Sequence, residues 1–132
     1  MEAAYHVLAL TRLLRILGIT LVLGGLAHSA GVIQLYLTQG VPDANRIMLD
    51  LWIAEAQLLS GGLYLAAWRT RRAQTPWRGL AAFGALTMIG FAAPILPVLI
   101  SRAPFIFWVP AIVYLALSLV ILAAATRPSR VT

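Results

Sequence analysis

His28, Asp50 and Glu55 are ionisable side chains set inside otherwise apolar stretches, and Gln34, Gln57 and Thr87 are their neutral polar company. An ionisable group in hydrocarbon costs at least about 2.5 kcal/mol on insertion scales, so it has a partner or a task. An imidazole and a carboxyl at one depth can share a proton or act as general acid and general base. Chemistry that needs only proton transfer would suit them: double-bond isomerisation, epoxide opening or cyclisation of a lipophilic molecule. His28, Glu55 and Asp50 are therefore the candidate catalytic residues. Gln34, Trp52, Gln57, Trp108 and Tyr114 are the candidate substrate-binding residues.

The spacing sets their depth. A turn centres near Val41-Pro42, and His28 and Glu55 lie equally far from it on either side. In an antiparallel hairpin they fall level, roughly 20 Å below the turn by helical rise. That expects His28 and Glu55 within hydrogen-bonding or one-water reach. Rotation competes with this. Glu55 is about 140° round the helix from Asp50, whereas Gln57 shares the Asp50 face, so Glu55 and Gln57 cannot both point at His28. Gln57 is the alternative partner.

Each residue also has a plainer role. Asp50 follows Arg46 by four positions, the spacing of an interfacial salt bridge. Glu55 as a neutral carboxyl can simply hydrogen-bond a neighbouring helix. His28 can do the same, or serve as a single axial ligand to a b-type haem. The second histidine, His6, is expected in solvent. No other cofactor and no metal site is expected, and the absence of cysteine excludes thiolate ligands.

The elements that must hold these residues are helices. The 132-residue chain is 61 % hydrophobic and 11 % charged, against roughly 25 % charged in soluble domains. Its apolar residues form four blocks long enough to cross a bilayer: 16–37, 47–68, 79–100 and 105–125. The expected fold is all-α, a single integral membrane domain with up-down-up-down topology. Asp43 after Pro42 reads as the N-cap of the second helix, and Pro104 opens the fourth. Pro94, Pro97 and Pro110 each remove a backbone donor in the outer halves of helices three and four. The segment before Arg12 either continues the first helix or lies on the membrane surface. The apolar run after Arg15 is too long for a cleaved signal peptide, so no cleavage is expected.

Arginine placement orients the chain. Arg12, Arg15, Arg69, Arg71, Arg72, Arg78, Arg127 and Arg130 fall on one side, Arg46 and Arg102 on the other. The first side is expected to be cytoplasmic, with both termini. Trp68 and Trp77 mark that interface; Tyr36, Phe105, Phe107 and Trp108 mark the opposite one. The net charge of +6 is topology charge, and no nucleic-acid partner is expected.

Gly24-Gly25-Leu26-Ala27-His28, and Leu58-Leu59-Ser60-Gly61-Gly62-Leu63-Tyr64 followed by Arg69, make about half of the chain resemble the small DoxX-like bacterial membrane proteins. The resemblance implies a four-helix architecture in a bacterial inner (plasma) membrane and carries no activity. Function divides three ways: a membrane enzyme acting on a lipophilic small molecule, an accessory subunit of a larger membrane complex, or a small proton-coupled carrier. The expected partners are membrane lipid and that small molecule. The Gly/Ser-rich faces (Gly24, Gly25, Ser29, Gly31; Ser60, Gly61, Gly62) serve either packing within one bundle or a homo-oligomer seam.

Overall fold

The computed structural model describes residues 2–72, 76–102 and 104–127. Four α-helices follow in order: α1 Glu2–Gln39, α2 Ala44–Arg72, α3 Trp77–Arg102 and α4 Phe105–Thr126. The side chains of His6, Arg102 and Phe107, and all of Arg130, lie outside the described residues. α1, α3 and α4 contain segments long and apolar enough to cross a membrane: Leu8–Gln39, Trp77–Ser101 and Trp108–Thr126. α2 is long enough, with 29 residues, but Glu55, Gln57 and Ser60 dilute its apolar stretch. It packs between α1 and α3.

α1, α2 and α3 outrun their apolar blocks by two or more residues, because arginine is a good helix former and the backbone ladder runs on past the apolar limit. α1 therefore takes in the segment before Arg12. It stops at Gly40, whose φ of +88° is open to glycine and strained for other residues. The Gly40 N–H donates to the Tyr36 carbonyl at 3.1 Å. α2 starts as the sequence predicts, with Asp43 Oδ1 accepting the Arg46 N–H at 3.0 Å. α3 and α4 run unbroken through Pro94, Pro97 and Pro110.

α1 and α2 run antiparallel in close register. A Cβ on Gly18 would fall 2.8 Å from Leu65 Cγ and 3.0 Å from the Gly61 carbonyl. One on Gly25 would fall 2.8 Å from Leu58 Cγ. Glycine at these positions lets the two backbones touch. Gly24, Gly25 and Gly61 thus serve packing within the chain, whereas Gly31 and Gly62 meet nothing within 4 Å.

The core is one-sided. Leu14, Leu17 and Leu21 of α1, Tyr64 and Ala67 of α2, Ala81, Ala85 and Met88 of α3, and Ile121 and Ala125 of α4 form one buried cluster. These lie in the half of the bundle nearest the arginine-rich end, and Ala92 extends the cluster just past the midpoint of α3. The Tyr64 hydroxyl donates to Ser118 Oγ at 2.8 Å, tying α2 to α4 inside that cluster. Its ring packs at Gly84, where a Cβ would lie 3.1 Å away. Towards the other end burial is sparse. Leu37, Val41 and Phe105 are largely exposed.

Candidate functional site

The α1 seam on α2 is built from Ala54, Gln57, Leu58, Gly61 and Leu65, spaced as one helical stripe. At 100° per residue its centre falls near Ala54, which puts Glu55 about 100° away. Glu55 accordingly does not enter the seam. It lines a cavity of about 490 Å³ between α2 and α3, with Leu49, Trp52, Ala56 and Leu59 on one wall and Thr87, Gly90, Phe91, Pro94, Ile95 and Val98 on the other. Trp52 is 63 % and Val98 52 % exposed, so this is a groove open along its flank.

No direct hydrogen bond joins His28 to Glu55. The two are level, as the count from the turn requires, but they face different helices. His28 stays on the α1 side, and its Nε2 is buried with no hydrogen-bond partner. Gln57 is the residue in the seam: its Oε1 would sit 3.6 Å from a Cβ on Gly24, one turn from His28. Gln57 Oε1 is likewise buried and unbonded. No direct hydrogen bond joins the two polar groups.

Asp50 has a structural setting. It is 4 % exposed, and its Oδ2 accepts from Tyr36 Oη at 2.6 Å and from Arg46 Nε at 3.1 Å. The Arg46 pair is the interfacial bridge read from the sequence. The Tyr36 contact is new, since tyrosine there reads as an interface marker. The available signal was register: Tyr36 and Asp50 are equidistant from Asp43. A smaller cavity of about 150 Å³ lies beneath this pair, lined by Ser29, Val32, Ile33, Tyr36, Ile47, Asp50, Leu51 and Ala54.

Of the expected substrate-binding residues, only Trp52 lines the groove. Gln34 is exposed on α1. Trp108 and Tyr114 line neither cavity; Tyr114 packs against the buried cluster. Both sit on α4, which packs on α3 rather than around the groove. Thr87, Gly90, Phe91 and Pro94 replace them as wall.

The polar inventory of the groove is lopsided. Glu55 brings a carboxyl. The Thr87 hydroxyl donates to the Phe83 carbonyl at 2.9 Å, which leaves its oxygen as an acceptor. Pro94 has no N–H, so the Gly90 carbonyl lacks its usual helical donor. Against these acceptors stands one side-chain donor, the Trp52 indole N–H. Among the described residues the ion pair joins Arg46 to Asp50, and no cation faces Glu55.

Comparison with protein-family models, curated proteins and solved structures finds no match.

Proposed function

We propose that this chain is a four-span bacterial inner-membrane protein, its arginine-rich end cytoplasmic, that binds a lipophilic amine in the α2/α3 groove at Glu55. The observation that carries the reading is a carboxyl alone among acceptors in an apolar, aromatic-walled groove of ligand size. A bare carboxylate is costly in hydrocarbon. It therefore carries a proton or meets a cation, and a protonated amine supplies both charge and donors. Trp52 and Phe91 put aromatic rings in the walls of the same groove, where a cation can meet them. Exchange of a proton on Glu55 for the ammonium makes a small proton-coupled carrier the best-supported class. Paired acid–base catalysis draws no support from a cavity that His28 does not line.

The test is binding by the purified chain of an aryl-alkyl amine and of its uncharged alcohol isostere. The amine is expected to bind at least about tenfold tighter, with release of protons on binding. Glu55→Gln removes that preference, and His28→Ala leaves it intact. Equal binding of amine and alcohol by the unaltered protein sinks the proposal, as does full amine preference in Glu55→Gln.

A further inference from the structure

At the opposite end of the bundle, two guanidiniums converge on one indole. The Arg71 guanidinium, at the end of α2, lies 4.3 Å from the centroid of the Trp77 ring. That of Arg78, the second residue of α3, lies 5.7 Å from the same ring. Arg15 stacks similarly on Trp68 at 5.2 Å. Arg78 is fixed further by donating from Nη1 to the Arg127 carbonyl at 2.7 Å. Arg71 has no such partner: its Nη1 is buried and unbonded. Burial, and then the charge on Arg78, lower its hold on its proton.

Like charges held at one ring call for a counter-charge, and no acidic side chain among the described residues lies there. The chain's acidic residues are Glu2, Asp43, Asp50 and Glu55. Glu55 is sixteen residues before Arg71 on the same helix, roughly 24 Å along it. Asp43 and Asp50 are farther still. Glu2, whose side chain is outside the described residues, begins α1 roughly 20 Å before Arg15. Among the described residues nothing neutralises the pair, which leaves room for an anion from outside.

We infer that Arg71, Arg78 and Trp77 form a site for the phosphate of an acidic phospholipid. Guanidinium forks match phosphate oxygens two at a time, and the Trp77 ring holds both close together. An indole beside a charged turn sits at headgroup depth, where the ring meets acyl chains and the forks meet the phosphate. A choline headgroup would bring a cation against the same guanidiniums, so the site selects net-anionic lipid. The site is separate from the Glu55 groove and does not depend on the amine reading.

The experiment follows thermal unfolding of the full chain in neutral detergent. Phosphatidylglycerol, phosphatidylcholine and inorganic phosphate are titrated in turn at constant ionic strength. Phosphatidylglycerol is expected to raise the midpoint saturably, and the other two to do little. Arg71→Gln should weaken the apparent phosphatidylglycerol affinity by about fivefold or more. Arg69→Gln removes the same charge from an exposed residue outside the site and should change it less than about twofold. Arg71→Lys, which keeps the charge and loses the fork, should resemble Arg71→Gln, and it stands in if the glutamine variant does not fold. Equal protection by phosphatidylcholine or by inorganic phosphate overturns the inference. So does an Arg69→Gln loss as large as that of Arg71→Gln, which would mean diffuse attraction only.

Discussion

The hydroxyl of Tyr36 and the carboxylate of Asp50 meet at 2.6 Å across the α1–α2 turn, and the carboxylate is almost wholly enclosed. The Arg46 side chain that shares the same oxygen is 57 % exposed. The two partners of Asp50 should therefore differ in weight. Tyr36→Phe takes a donor from a buried charged acceptor and should cost about 1.5–3 kcal/mol. Arg46→Gln removes a screened pair and should cost less than about 1 kcal/mol. Denaturation in detergent ranks them, and a larger loss from Arg46→Gln would contradict this assignment.

Tyr64 and Ser118 provide a second, internal test. Ser118→Ala leaves a buried phenol without its acceptor, at a cost of about 1–3 kcal/mol. Adding Tyr64→Phe removes the orphaned group, so the double variant should be more stable than the sum of the single losses implies. Strict additivity would mean that the 2.8 Å contact contributes nothing in solution.

The glycines of α2 should behave oppositely although they are neighbours. A Cβ on Gly61 would fall only 2.9 Å from the Gly18 carbonyl oxygen, too close to fit, whereas Gly62 faces open space. Gly61→Ala should push the helices apart and lower the unfolding midpoint. Gly62→Ala should be neutral, or stabilising by up to about 1 kcal/mol through helix propensity. If Gly62→Ala is the damaging one, that face is a contact between copies.

Filling the groove offers a route to the ligand that leaves Glu55 untouched. A Cβ on Gly90 meets nothing within 4 Å, so Gly90→Leu projects into free volume. Amine binding should fall by at least about tenfold while the unfolding midpoint holds or rises. Unchanged binding would move the ligand elsewhere.

Orientation is open to labelling. Asn45 and Gly79 are exposed at opposite ends of the bundle, and the chain has no cysteine of its own. In intact cells Asn45→Cys should react with an impermeant maleimide and Gly79→Cys should not. The reverse pattern would invert the proposed topology.

The helices were legible because their apolar blocks are long, and Asp43 marked a start that the structure keeps. The depth of Glu55 was legible too: rise per residue is fixed, so counting from a turn locates a side chain along the axis. Its rotation was not. That depends on which stripe of α2 meets α1, and Gly61 and Gly62 point about 100° apart with no difference in type to choose between them. Gly61 won because Gly18 lies opposite it, a pairing between helices that one sequence does not display. The groove was missed for the same reason. Its α3 wall of Thr87, Gly90, Phe91 and Pro94 reads as ordinary apolar helix until α2 is placed beside it.

The one-sided core also bears on how the molecule feels its surroundings. Tyr64, Ile121 and their neighbours clamp the helices at the arginine-rich end, while the halves carrying Trp52, Pro94 and Phe105 hold few buried side chains. In a bilayer the two leaflets would then meet different objects: a close-packed cylinder on one side and a set of ribs with clefts on the other. Acyl chains must enter those clefts or the helices must close over them. The balance depends on lateral pressure and lipid shape, so the width of the groove becomes a property of the membrane as well as of the chain.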